Sequence, residues 1–180
     1  MPPIIQVKDS AKVRGDIQVP AAARGATLYN RTGQQRLFKG GWHVGAGAGW
    51  TVNAAADTHR ATMAASQTAG TLIVAISGLK VGDTITAFSL VGQIESAGGT
   101  VTVDAALHKQ TAAAADVTEA SLGSITQVSV TADAIISASK TLATAEVVAA
   151  DETFFIIITA TTGASCDIAL QGVTVTVTEQ

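Results

Sequence analysis

Cysteine is nearly absent from this chain. Its one copy, Cys166, has no partner for an intramolecular disulfide and no second thiol for a metal cluster. Charge is scarce as well: 14% of the 180 residues, against roughly 25% in ordinary soluble domains. Aromatic residues make up 4%, too few for a core built on rings. No apolar run approaches the ~18 residues of a membrane-crossing helix. The opening stretch, Met1-Pro2-Pro3-Ile4-Ile5-Gln6-Val7-Lys8-Asp9, lacks the apolar centre of a signal peptide. These absences point to a chain made in a reducing cytoplasm, with no membrane partner.

Catalytic signatures are missing too. None of His43, His59 and His108 has another histidine, a cysteine or an acid at metal-ligand spacing, so no metal site is expected. There is no G-x-S-x-G elbow and no phosphate loop. Gly45, Gly47 and Gly49 miss the G-x-G-x-x-G pattern because Trp50 holds its last position. Nothing in the sequence points to a Ser-His-Asp triad assembled from distant residues. No catalytic or cofactor-binding residue is therefore assigned, and the chain reads as a non-enzyme. Arg14-Gly15-Asp16 spells an adhesion tripeptide and Asn30-Arg31-Thr32 a glycosylation sequon. Without a secretory signal, both read as chance matches.

What is abundant is Ala, Thr, Val and Gly. The apolar fraction of 47% suffices for a core, and Val and Thr favour pleated, half-buried surfaces. Charge divides the chain. Residues 1–60 hold eight Lys or Arg against three Asp, a net +5; residues 61–180 hold three Lys against eleven acids, a net −8. Such asymmetry suggests two parts with different partners. The basic excess is not clustered and the remainder would repel phosphates, so nucleic acid is not an expected partner.

Tyr29, Phe38, Trp42 and Trp50 lie in the basic part. Its stretch Gly40-Gly41-Trp42-His43-Val44-Gly45-Ala46-Gly47-Ala48-Gly49-Trp50 is too glycine-rich to be a stable helix or central strand by itself. Residues 1–61 therefore read as an extended arm, with short strands at about 4–8 and 26–30. Such arms order against a partner. Arg and Trp are the residues most enriched among interface anchors, so Arg24, Arg31, Arg36, Lys39, Trp42 and Trp50 are the candidate partner-interface residues. The alternative is that the arm folds back on its own acidic domain and completes the core.

Residues 62–180 read as a β-sandwich. Leu72, Val74 and Ile76 share one face of a strand over 71–77. Gly78 and Gly82-Asp83 bracket a connection. Thr84–Gly92 follows, with Ile85 and Phe88 on opposite parities, which calls for a bulge. Gly98-Gly99 suggests a hairpin turn. Thr100–Leu107 alternates cleanly, with Val101, Val103, Ala105 and Leu107 inward. Gln110–Ser124 is Ala-rich and fits a loop or one short helix. Val128 and Val130 mark a further strand and Ile135-Ile136 another. Thr153–Ala160 is apolar on both faces and reads as a central strand, with Phe154 and Phe155 in the core; that argues against an aromatic sugar-binding face. Cys166, Ile168 and Leu170 share one parity and Val173, Val175 and Val177 the other, which a bulge near Gly172 reconciles. The strand Val173–Thr178 would be an aggregation hazard on an open edge, so it is expected to be central or covered. Short strands between turn signals, with no helical period, indicate an antiparallel β-sandwich of jelly-roll type behind an N-terminal arm.

A Gly-rich arm leads into a sandwich that opens with Thr71-Leu72-Ile73-Val74-Ala75-Ile76 and Val81-Gly82-Asp83-Thr84-Ile85-Thr86. It closes with Phe154-Phe155-Ile156-Ile157-Ile158-Thr159 and Leu170-Gln171-Gly172-Val173-Thr174-Val175. This layout resembles small virion proteins of tailed bacteriophages, in particular capsid decoration (cement) proteins and head-fibre bases. The resemblance spans about residues 62–178. It implies a non-enzymatic subunit on the outer capsid surface, often a homotrimer, that clamps neighbouring major capsid subunits. The arm would anchor it, and deleting residues 1–61 should leave the sandwich folded. The alternative is a tail, fibre or baseplate component, or a receptor- or glycan-binding module.

Overall fold

The computed structural model describes residues 34–38, 41–45, 49–52 and 60–179. Twelve strands run in chain order among them: β1 (Gln34–Phe38), β2 (Trp42–Val44), β3 (Trp50–Val52), β4 (Ala61–Met63), β5 (Gly70–Ile76), β6 (Thr84–Ser96), β7 (Val101–Ala112), β8 (Val117–Val130), β9 (Ala134–Ile136), β10 (Ser139–Val147), β11 (Glu152–Thr162) and β12 (Cys166–Thr178). Among the described residues no helix is long and apolar enough to cross a membrane.

The strands form two antiparallel sheets packed as a sandwich. Sheet A has the order β10-β6-β12-β4-β3, with β1 also paired to β12 and β9 to β6; sheet B has the order β2-β5-β11-β7-β8. Alternation decides which residues face inward. In β5, Leu72, Val74 and Ile76 are buried; in β7, Val101, Val103, Ala105 and Leu107; in β11, Phe154, Ile156 and Ile158. From sheet A they meet Phe88, Leu90, Ile94, Ile168, Leu170, Val173, Val175 and Val177 in one core. Burying each such side chain stabilises the fold by roughly 1.5–3 kcal/mol.

Both expected bulges are present. Val177 faces Ile85 and Thr176 faces Ala87, leaving Thr86 unopposed in β6. Leu170 faces Gly92 and Gly172 faces Val91, leaving Gln171 unopposed in β12. Each extra residue flips the parity, so the apolar sets on either side of it all point inward. The strand β12 is central, as its apolar sequence required. The full length of β6 lies on one side of it, with β4 and β1 on the other.

Three features differ from the sequence reading. Gln110–Ser124 is neither loop nor helix: it forms the end of β7, a turn over 113–116 and the first half of β8. Ladder hydrogen bonding to β7 outweighs the weak strand preference of its alanines. Gly98-Gly99 does not make a hairpin, because β6 belongs to sheet A and β7 to sheet B. Gly98 adopts φ +104°, and the chain there changes sheets. Finally, the described parts of residues 1–61 do not stand off the sandwich: β1 covers the free side of β12, β2 is an edge of sheet B, and β3 is an edge of sheet A. The strand expectations at 4–8 and 26–30 lie outside the described residues.

Candidate interaction surfaces

Arg24, Arg31 and Lys39 lie outside the described residues, as do the tripeptide Arg14–Asp16 and the sequon at Asn30. The other three interface candidates are engaged within the chain. Arg36, on β1, donates from Nη1 to the carbonyl of Gly78 at 2.8 Å. Its Nη2 pairs with Glu179 and lies 3.6 Å from Oδ2 of the buried Asp83. Arg36 thus ties β1, the β5–β6 loop and the C-terminal end of the chain together. Trp50 is 6% exposed and sits in the core opposite Met63. Its indole N–H donates to the carbonyl of Gly70 at 2.9 Å. Trp42, opposite Val74, packs partly buried against the core. Its Nε1 is buried with no hydrogen-bond partner among the described residues. For these segments the fold-back alternative describes the geometry: the side chains complete the sandwich.

Three of the five large apolar side chains exposed among the described residues lie at one pole. Gln34 faces Val177, which faces Ile85, and Glu146 faces Ile85 from the other side. Gln34, the first described residue, therefore lies beside the β5–β6 loop, the end of β10 and the last residues of β12. The β10–β11 loop joins this pole through the Gly82 N–H, which donates to the Val148 carbonyl at 2.9 Å. The β7–β8 turn joins it through the Ala112 N–H, which donates to the Asp151 carbonyl at 2.9 Å. Val81, Val117 and Val147, in these segments, are 64%, 57% and 57% exposed. Residues 112–121 are all exposed, and eight of the ten are uncharged small or hydroxyl-bearing residues or valine.

One charged cluster braces this pole. Lys109 Nζ donates to Glu146 on β10 at 2.6 Å and to Glu152 on β11 at 2.8 Å, so it links the two sheets. Hydrogen bonds to Glu146 and then Glu152 raise the Lys109 pKa above its ordinary value, outweighing burial. Burial alone would raise the Glu152 pKa. The hydrogen bonds from Lys109 and from the Ala149 N–H, with the ammonium charge, outweigh it and hold that carboxyl below the ordinary carboxylate range. Two carboxylates share one ammonium here, and Glu152 is 7% exposed. The arrangement is a partly buried cross-brace between the sheets.

The outer faces differ. On sheet A a groove crosses the strands, lined by Arg60, Thr62, Gln93, Glu95 and Asp167, and continues past Ser96 to Asp133 and Ile135. Ile135 is 82% exposed at its rim. On sheet B, Phe155 is not in the core. Its neighbours Phe154 and Ile156 point inward, so it points outward, half-buried. It stacks on His108 with ring centroids 5.5 Å apart and 21° between planes. His108 Nδ1 lies 2.8 Å from Glu119 Oε1 but off the line of a hydrogen bond. Beside the stack is a hollow of about 300 Å³, lined by Asp104, Ala106, His108, Ser124, Ile157 and Thr159, with Thr126 at its edge. The sequence reading missed it because consecutive Phe154-Phe155 reads as doubly buried. Only the topology shows that the outer face of β11 carries no covering layer among the described residues.

Cys166 is buried, with Sγ 3.3 Å from Ser96 Oγ. Among the described residues no group of three His, Cys, Asp or Glu side chains is placed to hold a metal ion.

No protein-family model matches the chain, and no curated protein matches it. Among solved structures it is similar to the CBM22-2 xylan-binding domain of Paenibacillus barcinonensis Xyn10C. Identity is 13%, covering 82% of this chain and 99% of that one, with a TM-score of 0.40. A likeness this distant carries no argument about function, and the chain is placed by its own strand pairing: an antiparallel β-sandwich.

Proposed function

We propose that the chain is a non-enzymatic structural subunit of a tailed-bacteriophage particle, a decoration protein seated on the head by one pole of its sandwich. The observation that supports this is the coincidence at that pole. Gln34, which follows the basic stretch 1–33 in sequence, lies at the pole where Val81, Val117 and Val147 are exposed. That stretch holds five Lys or Arg against two Asp. A subunit docked on a larger acidic surface needs an apolar contact and a cationic anchor on the same side. The apolar contact stabilises the seat, and the anchor speeds and orients arrival. The partner is a major capsid protein or another virion subunit, and the chain self-associates, with a trimer expected.

Sedimentation with purified, undecorated heads of the phage that encodes the chain tests this. The full chain should pellet with heads and elute as a trimer of about 54 kDa, three times the 18.1 kDa chain. A chain beginning at Gln34 should stay folded yet bind more than about tenfold more weakly. Full-length, folded protein that remains in the supernatant would overturn the reading.

A second reading, a receptor- or glycan-binding component of a tail, fibre or baseplate, is favoured by one observation. Phe155 and His108 form a ring platform on the outer face of sheet B.

A further inference from the structure

We infer that the groove across the outer face of sheet A is a docking site for the chain's own basic stretch, through residues 8–24. This goes beyond the decoration reading and does not depend on it: the stretch has a seat on its own sandwich when no head is present. The groove carries an electrostatic cost that a cation would offset. Glu95 and Asp167 face each other directly across the β6–β12 ladder. Both are exposed on the outer face, because Ile94 and Ile168 beside them point inward. Like charges directly opposed on neighbouring strands repel. Among the described residues neither carboxylate is ion-paired. Glu95 accepts a hydrogen bond from the Gln93 side-chain amide at 2.6 Å. Arg60 lines the groove beside them without forming an ion pair to either. The turn between β8 and β9 brings a third carboxylate, Asp133, which accepts from the Ser96 N–H at 2.8 Å.

Shape and charge together select a basic segment of chain. Among the described residues no three acids are placed to share one metal ion. The carboxylates are instead spread along a groove whose wider part holds about 650 Å³, with Ile135 82% exposed at its rim. An occupant therefore presents separate cations with apolar side chains between them. Residues 8–24 hold Lys8, Lys12, Arg14 and Arg24 against Asp9 and Asp16, with Val13, Ile17 and Val19 interspersed. The stretch can also reach the groove. Gln34 faces Val177, which faces Ile85. Glu95 lies further along the same strand β6, about 34 Å from Ile85 at the rise of a β-strand. A chain spans at most about 3.3–3.6 Å per residue. Arg31 is thus too close to Gln34 to arrive there, Arg24 is at the limit, and Lys8, Lys12 and Arg14 reach it with slack. Tethering makes the contact intramolecular, so several exposed charge pairs, each weak alone, suffice to hold it.

Trypsin cleavage of the full chain at low salt, followed by mass spectrometry, tests the inference, because a seated segment is shielded and a released one is not. In the double variant Glu95→Gln/Asp167→Asn, cleavage after Lys8, Lys12 and Arg14 should run about tenfold faster than in the parent, as the open form becomes populated. Cleavage after Arg31 should keep its rate. The variant should melt no lower than the parent, since it removes two opposed charges. Glu119→Gln/Asp151→Asn removes two acids outside the groove and should leave the parent's pattern unchanged. Independently, replacing Lys8, Lys12 and Arg14 by glutamine in the full chain should shift the NMR amide signals of Glu95, Ile135 and Asp167. Equal cleavage in the parent and the groove variant overturns the inference. So does equal acceleration by Glu119→Gln/Asp151→Asn, and so do groove amides that do not move. Each of these results leaves the decoration reading standing, because the assay contains no heads.

Discussion

Truncating Trp50 to alanine separates two incompatible roles for that residue. If Trp50 were a partner anchor, Trp50→Ala would cost binding and leave stability alone. The structure assigns it inward: 6% exposed, opposite Met63, with its N–H on the Gly70 carbonyl. Removing a buried Trp side chain costs about 3–5 kcal/mol through lost transfer energy and the cavity left behind. The orphaned Gly70 carbonyl adds about 1 kcal/mol. For a chain of this size each kcal/mol moves Tm by about 2–4 °C, so Trp50→Ala should melt at least about 8 °C below the parent. Trp50→Phe restores most of the apolar volume but not the donor, and should recover more than half of that loss. Differential scanning calorimetry, with tryptophan emission reporting the environment of the remaining indole, reads both variants. An unchanged Tm in Trp50→Ala would refute the placement of β3 against the core.

The Lys109 brace makes stability depend on pH at both limits. The Glu152 pKa is depressed, so its contribution is complete above the ordinary value of about 4.5 and is lost as pH falls through the lowered one. The Lys109 pKa is raised, so its contribution is complete below about 10.5 and is lost as pH rises through the raised value. In Lys109→Met, Glu146 and Glu152 are left without their shared ammonium, and acidification from pH 7 towards 4.5 should stabilise this variant. Urea titrations across that range would show the opposite slope, or none, if the brace were absent. At Gly92, opposite Leu170, an added Cβ would lie 2.5 Å from the Ala169 carbonyl oxygen and 3.0 Å from Leu170 Cα. Backbone cannot give way as a side chain would, so Gly92→Ala should cost about 1–3 kcal/mol. A Tm equal to the parent's would contradict the β6–β12 register.

Legibility from sequence followed burial. Strands with one face in the core were plain: the alternations of 72–76 and 101–107 and parity breaks between Ile85 and Phe88 and near Gly172 appear in the structure, where Thr86 and Gln171 are the unopposed residues. Residues 110–124 were not legible because β8 there is an exposed edge, where no face is selected for apolarity and alanine reads as well for helix as for strand. The strands β1, β2 and β3 were hidden for a different reason. They are short pieces in glycine-rich surroundings, and their partners lie as many as 143 positions away, as in Gln34 with Val177. Arg36, Trp42 and Trp50 were singled out as candidate partner-interface residues, and the structure engages them within the chain instead, a distinction composition alone does not make. The hollow at Ala106 left no linear signal, since its lining comes from three strands.

The position of β12 orders events during synthesis. It is the last of the described strands in chain order, yet it is the hub of sheet A: β1, β4 and β6 all pair with it. No nascent chain shorter than about residue 178 can complete that sheet, so native sheet A waits for β12 to be made. The apolar stretches Phe154–Ile158 and Val173–Val177 emerge from the ribosome after β5, β6 and β7. By then β5, β6 and β7 are already available to receive them. A stalled or prematurely stopped transcript would instead release sheet A strands with no hub, and such fragments should be degraded or precipitate rather than accumulate as a smaller folded form.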